Sequence, residues 1–279
     1  MILPLLRLMR IYYSLPIAAG FAVIVTYLTA GNIQTLRFSL LVSSLSLLNI
    51  ISAAYVLNDV FDIEIDKINF PNRMLPKAKT TRKAAIIWAI ILFLAGFIFA
   101  ALSGPKFLLL LITVAAAVIL YDTFSKRMGM LKDFLVAALM TSLYPLAFTL
   151  AEPASQPQTN TLYVHSCWLF LTCLGYEMLK DSRDIKGDKT IKHNGIAAYS
   201  TKPWFLPASR IIILAASTLT LLPFMLGYCN YIYLCSAAAA VILAFLSIRK
   251  PPAIAIRYIY AEIILIALGS ILDLFLLGP

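Results

Sequence analysis

Charge is scarce in this chain. Of 279 residues only 13% are Asp, Glu, Lys or Arg and 61% are hydrophobic, against about 25% charged and about 45–50% apolar in soluble domains. A soluble domain of this length needs polar side chains for its surface. The mean hydropathy of +0.88, spread along the whole sequence, also excludes a soluble domain held by a single anchor. Although 23 Lys+Arg against 13 Asp+Glu give a net charge of +10, too little polar chain remains to build a nucleic-acid-binding surface. The four cysteines, Cys167, Cys173, Cys229 and Cys235, form no CxxC pair and are read as packing residues. The two histidines, His165 and His193, stand alone; an isolated histidine is read as structural.

Long apolar runs are what the sequence does have. Nine are long enough to cross a bilayer, over about 8–30, 38–58, 84–103, 106–124, 134–151, 162–179, 207–226, 230–248 and 256–276, since a spanning helix needs about 20 apolar residues. The reading is an all-α, polytopic membrane protein: one domain over 1–279, a bundle of nine transmembrane helices. The first run resembles a signal peptide at its front but is too long and lacks a cleavage site, so it is read as a retained helix. Counting alternate connections places 21 of the 23 Lys+Arg on one side, with only Arg37 and Lys106 on the other. Positive charge stays cytoplasmic, which puts the N-terminus and the two long loops, about 59–83 and 180–206, inside.

Eight of the thirteen acids fall in two short segments, Asn58 to Asp66 and Glu177 to Asp188. Asp59, Asp62 and Asp66 are spaced i, i+3, i+7, and Asp181, Asp184 and Asp188 repeat the spacing. At about 100° per residue each set projects from one face of a helix end; Glu64 falls on the opposite side and is left out. An even number of helices between the segments returns them to the same membrane face, where they can form one site. Carboxylates stacked beside an apolar membrane are costly unless cations neutralise them. Hard oxygen ligands without cysteine or histidine partners point to Mg²⁺, with Mn²⁺ as the alternative, and Mg²⁺ characteristically bridges carboxylates to substrate phosphates. Arg73, Lys77, Lys126, Arg127, Lys180 and Arg183 share the face and suit phosphate oxygens.

With these motifs in place the sequence resembles the UbiA-type intramembrane prenyltransferases, whose hallmarks are Asn-Asp-x-x-Asp-x-x-x-Asp after helix 2 and Asp-x-x-Asp-x-x-x-Asp after helix 6. Both are present in full, as Asn58 to Asp66 and Asp181 to Asp188. Arg73 follows the first motif as in the family, although Met74 and Lys77-Ala78 depart from its pattern, and Tyr121 and Lys126 stand where the family has a Tyr and a Lys between helices 4 and 5. Lys132-Asp133 replaces a common Gly-Asn pair.

The resemblance implies Mg²⁺-dependent transfer of a polyprenyl group from a prenyl diphosphate to a lipid or aromatic acceptor, in contact with membrane lipids and with no nucleic acid. It implies Asp59, Asp62, Asp66, Asp181, Asp184 and Asp188 as the metal set, the first two of each motif being catalytic. Asn58, Arg73, Lys126 and Lys180 then bind diphosphate, and Tyr121 faces the cation or a phosphate. The texture from Asp66 to Arg73 resembles members acting on glyceryl-phosphate lipids or chlorophyll-type rings more than those using 4-hydroxybenzoate. Two other readings stand beside this one. A terpene cyclase would use the same ionisation, and a divalent-cation or proton-coupled transporter would use intramembrane acids differently. Glu177 and Glu262 are candidate acceptor bases.

Overall fold

The computed structural model describes residues 2–124, 128–188 and 197–277, and every regular element among them is helical. In chain order these are α1 (Ile2–Leu8), α2 (Ile11–Leu28), α3 (Arg37–Phe61), α4 (Ile63–Asn69), α5 (Arg82–Ser103), α6 (Pro105–Phe124), α7 (Leu131–Thr141), α8 (Leu143–Leu150), α9 (Gln156–Asp188), α10 (Ala197–Ser200), α11 (Phe205–Leu219), α12 (Leu222–Met225), α13 (Tyr231–Ser247) and α14 (Pro252–Leu277). Among the described residues, seven stretches are long and apolar enough to cross a membrane. Two of the predicted runs correspond to other helices: α13 is apolar but only 17 residues long, and the 33 residues of α9 reach beyond 162–179 at both ends.

Local sequence explains where several helices begin. Thr81 caps α5, its hydroxyl accepting from the Ala84 N–H at 3.1 Å, which satisfies an orphan donor of the first turn. Gly104, at φ +130°, ends α5 in a conformation that disfavours a side chain, and Pro105 opens α6 at a position that needs no N–H. The start of α13 is capped from a distant helix: the Asp273 carboxylate of α14 accepts from the backbone N–H groups of Asn230 at 2.7 Å and Tyr233 at 3.1 Å. An anion at a helix N-terminus meets both the free donors and the positive dipole end.

Packing inside the bundle relies on small residues and on a few polar contacts, as expected where lipid removes the hydrophobic drive between helices. At Gly96 a Cβ would sit 2.7 Å from the Ile50 side chain, and the Ser46 hydroxyl donates to the Gly96 carbonyl at 2.7 Å; α3 and α5 touch through this notch. Gly175 plays the same part between α9 and α11, where a Cβ would meet the Ser209 carbonyl at 3.0 Å. Outward-facing side chains such as Leu94, Ile98, Leu109 and Phe245 are large, apolar and exposed, which suits a lipid-facing perimeter.

Two predicted runs are not continuous helices. The run 134–151 divides at Ser142 into α7 and α8, and 207–226 divides at Thr220 and Leu221 into α11 and α12. The first motif is also interrupted. α3 ends at Phe61, Asp62 takes φ −98° and ψ 9°, and α4 restarts at Ile63. Asp59, Asp62 and Asp66 therefore project from two helices joined at Asp62, not from one uninterrupted helix face as the spacing predicted.

Candidate active site

The two acidic segments meet at one end of a cavity of about 1550 Å³, lined by Asn58, Asp59, Asp62, Asp66, Arg73, Tyr121, Lys180, Asp181 and Asp184. α4 and the loop after it dock on α9, where the Asn69 side-chain amide donates to the Asp184 carbonyl at 3.0 Å. Of the other sequence-predicted site residues, Lys126 lies outside the described residues, as does the side chain of Asp188. His193 also falls outside them. Glu64, set aside on the basis of its direction, is exposed and pairs with Lys67 at 2.8 Å.

The first motif is held by arginines. Asp59 is buried and ion-paired to Arg10, with Arg73 at 3.5 Å. Arg73 reaches both oxygens of Asp66 at 2.6 Å, and its guanidinium lies 4.1 Å from the centre of the Phe70 ring, which fixes the loop turn after α4. Burial raises the Asp66 pKa to about 6 despite the opposing hydrogen bond and charge of Arg73; loss of water disfavours the carboxylate, and a nearby cation only partly restores it. Arg10 reaches this site because the chain turns between α1 and α2 with Arg10 itself in the left-handed region, at φ 46°.

The second motif is held by a lysine and an arginine. Lys132 lies 2.5 Å from Asp181 and 3.6 Å from Asp133. Lys180 binds both oxygens of Glu177, at 2.9 and 3.1 Å, and Arg183 binds Asp184 at 2.7 and 2.8 Å. One carboxylate oxygen from each of Asp133, Glu177 and Asp181 falls within 4.8 Å of the other two, and all three residues are buried. Both oxygens of Asp133, the second oxygen of Asp181 and one oxygen of Asp122 are buried without a hydrogen-bond donor. Buried carboxylate oxygens without donors are expensive, so the chemistry of this donor set fits a hard divalent cation.

Sequence reasoning missed several of these groups. Asp122 lies beside the first motif, 3.5 Å from the Asn58 amide, and lines the cavity with Lys132. The signal for it was present, since an acid one residue from the motif tyrosine in an apolar run is unusual. Tyrosines give a second case. Scattered in sequence, Tyr13, Tyr55, Tyr176 and Tyr260 converge, with Tyr13 to Tyr55 centroids 6.0 Å apart, Tyr13 to Tyr260 6.1 Å, and the Tyr176 and Tyr260 hydroxyls 2.8 Å apart. All four line the cavity next to the acidic end, so the aromatics form a cluster that their even distribution along the chain concealed. Of the two candidate acceptor bases, Glu177 lines the cavity. Glu262 does not: one of its oxygens accepts from the Trp168 indole at 2.8 Å and the Ser217 hydroxyl at 2.7 Å.

Comparison with known proteins adds to this geometry. Residues 15–253 match the model of the UbiA prenyltransferase family. The chain is 30% identical to a digeranylgeranylglyceryl phosphate synthase of Sulfurisphaera tokodaii, covering 78% of this chain and 77% of that protein. With a protein of the same name from Methanococcus aeolicus the identity is 31%, covering 98% and 96%. Among solved structures, one described as a digeranylgeranylglyceryl phosphate synthase in membranes superposes with a TM-score of 0.74 at 20% identity, covering 98% of both chains. A UbiA homolog from Archaeoglobus fulgidus bound to GPP and Mg²⁺ superposes with a TM-score of 0.72 at 12% identity, covering 98% of this chain and 100% of that one; these two structures carry the fold.

Proposed function

The chain belongs to the UbiA prenyltransferase family and is a membrane-embedded prenyltransferase, and on that premise we propose that it transfers a geranylgeranyl group from its diphosphate to the hydroxyl of a glyceryl phosphate lipid. The relatives named digeranylgeranylglyceryl phosphate synthase support this acceptor over an aromatic ring. The reaction is Mg²⁺-dependent. Asp59, Asp62, Asp181 and Asp184 hold the metal, supported by Asp66 and Asp188, and Asn58, Arg73, Lys126 and Lys180 bind the diphosphate. When bound, Mg²⁺ supplies the positive charge that makes diphosphate a competent leaving group.

The side chains do the rest. Arg73 and Lys180 line the cavity and would meet the oxygens on which charge accumulates, since fixed cations in a cavity of low dielectric stabilise that charge without reorganising. As the allylic carbon loses its leaving group, the ring faces of Tyr121 and of the four clustered tyrosines stabilise the positive charge left on the prenyl chain. Apolar walls exclude the water that would quench it. The acceptor hydroxyl then forms the new carbon–oxygen bond and gives up its proton to Glu177, the candidate acceptor base that lines the cavity.

The observation that carries this reading is the continuity of one cavity from both aspartate motifs into an apolar interior. We place its acidic mouth on the cytoplasmic side, which the 21 to 2 division of Lys and Arg supports. The test is product identification by mass spectrometry, using the purified protein in vesicles with geranylgeranyl diphosphate and either a glyceryl phosphate lipid or a hydroxylated aromatic acid. A prenylated glyceryl phosphate lipid is expected. A prenylated aromatic product would overturn the acceptor, and a cyclised hydrocarbon would replace transfer by cyclisation.

A further inference from the structure

Asp122 lines the cavity, is only 4% exposed and has no part in the mechanism above. Elsewhere in the bundle Asp273 shows how a buried carboxylate with a structural role is satisfied: its two oxygens accept backbone N–H donors at 2.7 and 3.1 Å. Asp122 has nothing comparable. Among the described residues its Oδ1 accepts a long hydrogen bond, 3.5 Å from the Asn58 amide, and its Oδ2 is buried with no donor. A carboxylate in that position is costly unless something supplies positive charge.

The surroundings make an isolated anion still less tolerable. Asp122 lies in the last turn of α6, which ends at Phe124, and Asn58 in the last turn of α3, which ends at Phe61. Their contact sets two helix C-termini side by side, each presenting free carbonyls and the negative end of its dipole. The carboxylates that bear on Asp122 are Asp62 and Asp59, both of its own sign. Asn58 and Asp62 are stacked i, i+4, the Asp62 N–H donating to the Asn58 carbonyl at 2.9 Å. A carboxylate that reaches the Asn58 side chain therefore stands over the helix face that carries Asp62. Asp59 and Asp66, by contrast, already face Arg10 and Arg73.

From this arrangement we propose that Asp122 is a further metal ligand, closing from α6 on the hard divalent cation that the first motif binds through Asp62. The inference rests on the Mg²⁺-dependent transfer reading above and adds to it a donor from a helix that carries neither aspartate motif. Carboxylate oxygen is the donor type that Mg²⁺ and Mn²⁺ prefer, and Oδ2 turns to a cation without giving up an existing hydrogen bond. The Asn58 amide then acts behind the ligand: it holds Oδ1 and leaves Oδ2 for the metal, as outer partners of metal-binding carboxylates do.

The test uses the full chain in detergent with Mn²⁺ as the probe, free metal being followed by its EPR signal. Melting temperatures are taken in EDTA and in Mg²⁺, and prenyl transfer is assayed in parallel. Asp122→Asn keeps the shape and removes the charge. It should weaken Mn²⁺ binding about tenfold or more and shrink the rise in melting temperature that Mg²⁺ gives. In EDTA it should melt no lower than the wild type, because an uncompensated buried charge is gone. Asp122→Cys offers a thiolate, so its ratio of Cd²⁺ to Mn²⁺ affinity should exceed that of the wild type, which holds the same four native cysteines, about tenfold or more. A merely structural carboxyl would not move that ratio. Wild-type Mn²⁺ affinity in Asp122→Asn, or an unchanged ratio in Asp122→Cys, would overturn the assignment; should Asp122→Asn fail to fold, the Asp122→Cys ratio still decides. Wild-type protein that binds Mn²⁺ but transfers no prenyl group would overturn the transfer reading and leave Asp122 to be judged by the affinities, whereas wild-type protein that binds no Mn²⁺ would overturn both.

Discussion

Lys132 separates this chain from the family pattern most sharply at the scale of single residues, because it inserts an ammonium among three buried carboxylates where a Gly-Asn pair is common. It pairs with Asp181 at 2.5 Å and stands 3.6 Å from Asp133. Removing one partner of a buried ion pair leaves an uncompensated charge and typically costs about 3–5 kcal/mol. Lys132→Met should therefore lower the melting temperature in EDTA, and Mg²⁺ should restore more of it than it adds to the wild type, since a divalent cation replaces the lost charge. Equal Mg²⁺ shifts in both proteins would contradict that role. Arg73 gives the second prediction. Its Nη1 alone engages both oxygens of Asp66, while its guanidinium plane lies on the Phe70 ring at 4.1 Å, a stacking that a lysine does not reproduce, so Arg73→Lys should cost about 10- to 100-fold in kcat/KM, about 1.4 to 3 kcal/mol. A loss under threefold would show that charge alone suffices.

Among the elements, the helices were legible and their breaks less so. Apolar runs of membrane length, closed by Gly104-Pro105 or by charged loops, mark α5 and α6 to within a few residues. The division at Ser142 has a local mark that reading 134–151 as one run passes over, Pro145 in the first turn of α8, which cannot donate to the Thr141 carbonyl, whereas nothing local marks the change of direction at Asp62, where tertiary packing decides. The same limit explains the site. Spacing and the absence of soft ligands disclosed the two aspartate motifs, whereas Arg10, Lys132 and the tyrosine cluster come from distant helices that only packing brings together. Close approach at Gly96 has a measurable consequence: Gly96→Val should destabilise the protein by about 1–3 kcal/mol, as overpacking does, through the Ile50 side chain 2.7 Å from the new Cβ. Unchanged thermal stability in detergent would show that α3 and α5 can part without cost.

Over the whole molecule, the distribution of charge and the position of the cavity mouth support one picture. The motif loops carry most of the Lys and Arg and the opposite connections almost none, which supports the proposed orientation, with the charged substrate end toward the cytoplasm and the prenyl tail among apolar helices. Lys77 and Lys106 are exposed on opposite sides in this picture. Lys77→Cys should react with a membrane-impermeant maleimide only from the cytoplasmic side, and Lys106→Cys only from the other; the reverse pattern would invert the proposed orientation. The central claim, that both aspartate motifs together support Mg²⁺-dependent transfer, is tested most directly by following labelled geranylgeranyl diphosphate into prenylated lipid across a Mg²⁺ titration. The wild type, Asp59→Asn and Asp181→Asn would be compared, all checked for monodisperse, folded protein. The account predicts saturable Mg²⁺ dependence in the wild type and loss of at least about a thousandfold in each variant; Mg²⁺-dependent turnover near the wild-type rate in either variant would contradict it.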